Sequence, residues 1–414
     1  RGGVRLISGR TPGVWISNQF SSTGVDVLRI DERNTQYTFT PDVNNQPKPD
    51  NPKAQTTEIN ITDPNLKMPQ ILRGNLGFDY QLPLGFVLTL EALYGKTIYD
   101  IEYQNINLQY AKNDDGTIAT TIDGRNLYSK EQVDKSFTRV IYMKNTTQGN
   151  QLNLVAQIQK PYGQGILPNL SANLAYTFSK VEDVNPLTSS RAVSNWQYNV
   201  GLDPNASELT RSSYEVPHKI MANISYTFDY SKNFATTIGI YYEGRSGLPF
   251  SMVYVEDANG DNIYGNDLIY IPTGASDPKF NLITNNWDEL NALIDDFDYL
   301  KNNRGKIMEK NSLNTPWRNN LDLRLTQDIK FFGYKMQITL DAINFLNLMN
   351  KEWGRIKYVP YGSYSLFTFK GYDQETGKIN AGYTPKKGAN SDDIFSVDDL
   401  GSRWQLQLGL RFTF

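Results

Sequence analysis

Trp404-Gln405-Leu406-Gln407-Leu408-Gly409-Leu410-Arg411-Phe412-Thr413-Phe414 alternates without a break: every even position is large and apolar, every odd one polar or glycine. A side-chain period of two marks a strand with two unlike faces, because successive Cβ atoms point to opposite sides of a sheet. The even face recurs at Leu170, Ala172, Leu174, Tyr176 and Phe178, and again at Ile220, Ala222, Ile224, Tyr226 and Phe228. Weaker copies run through Leu72 to Tyr80, Phe86 to Tyr94, Leu152 to Ile158, Phe234 to Tyr242, Leu321 to Leu325 and Tyr334 to Ala342. With the strand-like opening Gly2 to Ile7, the pattern predicts about ten strands.

The connections alternate in length. Short turns at Gln81 to Gly85, Lys160 to Pro168, Asp229 to Lys232 and Phe331 to Gly333 each join two strand patterns, as a hairpin does. Between them lie long polar stretches near residues 17–68, 105–136, 182–212, 247–316 and 348–401. A soluble β-sandwich also alternates its faces. Short turns at one end and long loops at the other favour a transmembrane barrel, with the long loops outside the cell.

Composition agrees. Only 39% of the 414 residues are apolar, mean hydropathy is −0.51, and no run approaches the roughly eighteen apolar residues of a spanning helix. A barrel turns every second side chain to lipid, so its membrane signal averages to mild polarity. The 26 Tyr, 19 Phe and 6 Trp suit aromatic girdles at two interfaces. With no cysteine, disulfide scaffolds, thiolate metal sites and cysteine nucleophiles are excluded. A formal charge of −3 without a basic block leaves nucleic acid no electrostatic footprint. The chain opens on Arg1 with no signal peptide, so it reads as processed or as part of a longer protein.

Three segments carry a family resemblance: Arg1-Gly2-Gly3 through Gly9-Arg10-Thr11-Pro12-Gly13-Val14-Trp15-Ile16-Ser17-Asn18-Gln19, then Asp63-Pro64-Asn65-Leu66-Lys67-Met68-Pro69, then the strand ending in Phe414. They resemble the second half of the TonB-dependent outer-membrane receptor barrel. Trp15-Ile16-Ser17-Asn18-Gln19-Phe20-Ser21-Ser22-Thr23-Gly24 and the Asn-Asp-Leu-Ile-Tyr-Ile-Pro run at 266–272 look most like the Oar-like subgroup. In the wider family the second segment opens a descending strand with Pro-Glu where this chain has Met68 and Pro69.

The resemblance implies an all-β fold, a transmembrane antiparallel β-barrel. Residues 1–414 would form its C-terminal part, about ten strands of a plugged barrel of roughly 22. It implies a multi-pass protein of the bacterial outer membrane that takes up a scarce ligand through a plugged lumen, with energy from the TonB system. The implied partners are outer-membrane lipid, the rest of the barrel and its plug, the TonB complex, the barrel-assembly machinery and an unknown ligand such as a surface lipoprotein or peptide. The alternative is a structural or interaction barrel that anchors a surface or export assembly without energy coupling. Ten strands alone would leave two unpaired edges in lipid, where each unsatisfied backbone group costs several kcal/mol.

No catalytic set is legible, and an enzyme is not expected. His218 is the single histidine, so neither a His-based triad nor a multi-histidine metal site assembles from this chain; after Pro217 at a strand start it reads as a polar interfacial residue. Gly163-Gln164-Gly165 is too short for a dinucleotide loop. Asp257, Asn259, Asp261 and Asp267 place oxygens at alternate positions, as the start of a calcium loop does, and are the candidate metal ligands. They depart from an EF-hand because position six is Asn262 and position twelve Leu268. No other cofactor is implied. Trp404, Leu410, Phe412 and Phe414 resemble the signal read by barrel-assembly machinery. Trp287, Leu290, Leu293, Ile294, Phe297 and Leu300 predict one loop helix, capped by Asn286 with Glu289 and stopped at Gly305; it suits either a lid over the pore or a stripe packed on neighbouring loops.

Overall fold

The computed structural model describes residues 1–10, 13–21, 38–47, 57–206, 208–384 and 391–414. Ten strands lie side by side in one antiparallel sheet: β1 (Gly2–Ser8), β2 (Gln70–Gln81), β3 (Val87–Asn105), β4 (Asn150–Lys160), β5 (Leu170–Asp183), β6 (His218–Asp229), β7 (Phe234–Arg245), β8 (Arg318–Phe331), β9 (Tyr334–Ile343) and β10 (Gln405–Thr413). Their order across the sheet is their order along the chain. Each period-two segment has become one of these strands, and the four short turns are its hairpins. The fold is all-β and its ten-stranded wall is antiparallel, as expected.

Strand register decides which side chains share a face. Leu90 lies opposite Ala156, Leu154 opposite Phe178, Leu174 opposite Ala222, Ile224 opposite Ile240, Ile238 opposite Leu325, and Leu340 opposite both Leu325 and Leu408. The even faces of the three clearest strands are therefore one continuous surface. In β8 the parity inverts, so Leu321, Leu323 and Leu325 join it from odd positions. Leu174 is 54% exposed and Leu408 76%. So broad an open apolar surface needs an apolar medium. The opposite face is polar: Lys219 pairs with Glu243 at 2.8 Å, Arg324 with Asp341 at 2.5 Å and Lys335 with Asp328 at 3.0 Å.

At the short-turn end the hairpins interlock. Gly85 and Gly165 have φ of 84° and 59°, and a Cβ on Gly165 would sit 2.0 Å from the Leu84 carbonyl oxygen. Close approach of two backbones is what this glycine supplies. Nearby, buried Lys160 donates to the carbonyls of Gln164, Leu167 and Leu170 at 2.9, 3.0 and 3.2 Å, so the turn wraps an ammonium with its own C=O groups.

At the other end the wall continues upward. Strand β3 has 19 residues, well beyond the roughly 9–11 that cross a bilayer. Its far part, Asp100 to Asn105, pairs with Phe137–Thr146, which pairs in parallel with Thr57–Thr62. Trp15, on the helix Gly13–Ser21, is buried with Ile101, Tyr103, Ile141, Met143 and Trp196, and its indole donates to the Ser189 carbonyl at 2.8 Å. The resembling segment thus contributes a packing anchor at Trp15; Thr11, Pro12, Ser22, Thr23 and Gly24 lie outside the described residues. The second segment ends at Pro69, and β2 opens at Gln70, as the resemblance implies.

Candidate functional site: the folded outer loops

The long connections build a core of their own. Pro249–Tyr254 runs parallel to Ser363–Tyr372; that strand is antiparallel to Ile379–Tyr383, which runs parallel to Phe280–Leu282. Phe250, Met252, Tyr254, Phe280 and Phe367 are each at most 3% exposed and form the centre of this small sheet. The run 266–272 threads it: Leu268, Ile269, Tyr270 and Ile271 are buried, and the Tyr270 N–H donates to the Tyr254 hydroxyl at 3.2 Å.

The expected loop helix exists but breaks in two, Trp287–Asp296 and Asp298–Asn302, because Phe297 adopts an extended backbone (φ −109°, ψ 110°). Asn286 reaches Glu289 at 3.2 Å through its side-chain amide and makes no side-chain cap to the backbone, and Gly305 lies beyond the second helix. Leu290, Leu293, Ile294 and Leu300 are at most 1% exposed in the loop core. The stripe fixes the helices in that core, which argues against a lid.

A charged cluster locks these loops together. Arg125, Asp123 and Asp267 have fully buried side chains. The guanidinium bonds Asp123 at 2.8 Å, Asp267 at 3.4 Å and the Leu268 carbonyl at 2.9 Å, and lies 5.4 Å over the Tyr254 ring. Asp123 also accepts from the Thr121 hydroxyl. Next to this cluster, Asp203 accepts from the hydroxyls of Tyr110 and Tyr128, both at 2.5 Å, which ties residues 105–136 to residues 182–212. Burial pushes the Tyr110 hydroxyl up to about 12, with Asp203 adding to it. Sequence reading missed Arg125: one arginine in a generically polar stretch carries no periodic signal, and its partner Asp267 is 142 residues away.

The candidate calcium residues come together, and each of them accepts N–H groups. Asp257 accepts from the backbones of Asn259, Gly260 and Asn262 at 3.2, 2.6 and 2.8 Å, Asn259 from Asp261 at 2.9 Å, and Asp261 from Ile263 at 2.7 Å. Asp267 accepts from the Ala258 N–H at 2.7 Å and faces Arg125. Asn262 takes the left-handed conformation (φ 63°) that glycine takes at position six of a calcium loop. Among the described residues no group of three acidic or histidine side chains converges to hold a metal. The alternate spacing serves a run of side-chain-to-backbone turns. Adding or chelating calcium is therefore expected to leave the melting midpoint of the protein unchanged, which a thermal scan at both extremes checks.

Burial, followed by repulsion from Asp267, raises the Asp261 carboxyl; burial also raises Asp267, with Arg125 opposing. A carboxyl raised in the folded state stabilises fully below its unfolded pKa, and that contribution is lost as pH rises through the folded value. The loop core should therefore resist proteolysis better at pH 5 than at pH 8. Asp261→Asn should flatten this slope, since it removes the carboxyl that titrates; the Asn266 amide, which now donates to Asp261, can turn over to accept from the new amide with its unpartnered oxygen. A slope unchanged by Asp261→Asn would place the titration elsewhere.

His218 opens β6 on the apolar face, its Nδ1 2.8 Å from the Tyr176 hydroxyl and its ring 5.6 Å from Phe178. That is the interfacial setting expected of it. On β10 the Phe412 ring meets Tyr334 at 5.6 Å, Phe331 at 6.1 Å and Phe414 at 6.4 Å, an aromatic group at the short-turn end. Leu410 is exposed on the same face opposite Ile338, and Trp404 precedes the strand.

Residues 7–352 match the family model described as outer membrane beta barrel domain. The chain belongs to that family. The barrel accordingly resides in the outer membrane, its apolar face toward lipid. No curated protein matches it. Among solved structures it is similar to the outer membrane transporter YddB from Escherichia coli (9% identity, TM-score 0.40, covering 87% of this chain and 35% of that one). It is also similar to the FrpB iron transporter from Neisseria meningitidis (9% identity, TM-score 0.30, covering 83% and 34%). The chain spans about a third of the length of these transporters.

Proposed function

We propose that this chain is the C-terminal part of a TonB-dependent, Oar-like uptake receptor, with its ten strands as lipid-facing wall and its packed outer loops as the surface that captures a scarce ligand. The observation carrying this reading is the loop core around Phe250 and Phe367, stitched by Arg125: a rigid platform held on a membrane wall suits binding better than mobile loops do. Fully exposed Tyr361 and 70%-exposed Tyr264 offer amphipathic rings to a peptide or lipoprotein. In this reading the free edges of β1 and β10 pair with further strands, as backbone in lipid must.

The test is genetic and needs no ligand. Deleting the intact protein in an energy-competent strain should impair growth on limiting nutrients, and that defect should vanish when TonB is also absent. A deletion defect of equal size without TonB would support the structural barrel that anchors a surface assembly.

Assembly is a separate part of this reading. Deleting Phe414 is expected to lower folded protein in the membrane several-fold, read by heat-modifiable gel mobility, while the melting midpoint of the folded molecules barely moves. Equal folded yield would leave Phe414 as an interface anchor alone.

A further inference from the structure

The lipid-facing surface carries a recess with polar groups on its wall. It lies at the long-loop end of β7 and β8, has a volume of about 480 Å³ and is walled by Tyr242, Trp317 and Trp353. Trp317 and Trp353 are 43% and 50% exposed. The Tyr242 hydroxyl and the Trp317 indole N–H both donate to the Asn319 side-chain oxygen, at 2.7 and 3.1 Å, which fixes the two rings. Gly244 leaves them room: a Cβ there would meet the Tyr242 hydroxyl at 2.5 Å and the Trp317 ring at 3.2 Å.

Arg355 and Lys357 line the same recess, together with Glu352. Glu352 pairs with Arg355, and Asp392 pairs with Lys357 at 2.9 Å. Arg355 and Lys357 are the less exposed member of each pair, at 31% and 26%, against 57% for Glu352 and 68% for Asp392. Among the described residues each cation has one carboxylate partner and keeps further N–H donors, so a phosphate in the recess shares Arg355 with Glu352. A plain aromatic girdle needs neither the recess nor two cations on its wall.

We propose that this recess holds the headgroup of a phosphorylated glycolipid of the outer leaflet. Sugar rings stack their C–H faces on the tryptophans, phosphate bonds Arg355 and Lys357, and acyl chains run down the apolar face beside Tyr242. Continuity with the lipid-facing surface commits the site to a membrane lipid over a soluble sugar phosphate. The proposal rests on outer-membrane location and is independent of what the loops capture.

The test uses the intact protein in mild detergent, with native mass spectrometry after adding a lipid built on a phosphorylated glucosamine disaccharide, the same lipid without phosphate, or phosphatidylglycerol. The phosphorylated glycolipid is expected to be retained at least tenfold better than either of the others. The pair Arg355→Gln and Lys357→Gln leaves the aromatic walls in place and should reduce it to the level of the phosphate-free lipid. Trp353→Ala should lower both glycolipids, with heat-modifiable mobility confirming the fold. Equal retention of all three lipids, or retention unaffected by the Arg355 and Lys357 substitutions, would overturn the proposal and leave a nonspecific girdle.

Discussion

Replacing Arg125 with Met is expected to release the outer loops while leaving the membrane wall folded. The substitution leaves the buried Asp123 and Asp267 carboxylates facing each other without a cation. Removing one partner of a buried pair costs about 3–5 kcal/mol, because the remaining charge has no solvent to repay its desolvation. The wall strands share no side chain with this cluster, so their hydrogen bonds persist. Protease cleavage in residues 105–136 and 257–268 should accelerate by roughly a hundredfold or more, with heat-modifiable mobility retained. Adding Asp123→Asn and Asp267→Asn to Arg125→Met should recover much of the protection by removing the orphaned charges. Unchanged cleavage in Arg125→Met would show that the loop core holds without its ionic lock.

The second large effect concerns sidedness. Leu174 sits mid-strand on the apolar face, opposite Ile158 and Ala222, and its neighbour Asn173 points to the polar side. Leu174→Arg should cost ~2–4 kcal/mol of folding in lipid, the range for a cation near the bilayer midplane. Asn173→Arg should cost about 1 kcal/mol or less, since the polar side supplies water and opposite charges to the cation. Urea titrations of the intact protein in vesicles measure both. Spin labels at the two positions give an independent reading, with the label at Leu174 the more accessible to a lipid-soluble quencher. Equal costs, or a more accessible label at Asn173, would reverse the assignment of faces.

How much of this was legible depended on whether a feature repeats. Alternation from Trp404 to Phe414 and at Leu170 to Phe178 named strands, faces and hairpins correctly, since a sheet with one side in lipid imposes a period of two on every residue it contains. The loop helix was legible for the same reason: Leu290, Leu293 and Ile294 carry a helical period. Its break at Phe297 was not, because Phe297 keeps the helical period and only the fold shows its extended backbone and its ring 6.2 Å from Phe250. Asp257, Asn259 and Asp261 show the limit of motif reading. Oxygens at alternate positions suit a cation or a chain of backbone N–H groups equally well, and only folded geometry says which donor arrives.

The sequence by itself determined the all-β class, the ten membrane strands and the split between short turns and long loops, because these are local patterns repeated under one solvent constraint. Tertiary structure alone decided that the loops form a packed core, that Arg125 meets Asp267 across 142 residues, and that Trp317 and Trp353 close a recess over Gly244. Those contacts join residues distant in the chain through burial and close approach, and neither leaves a period to read.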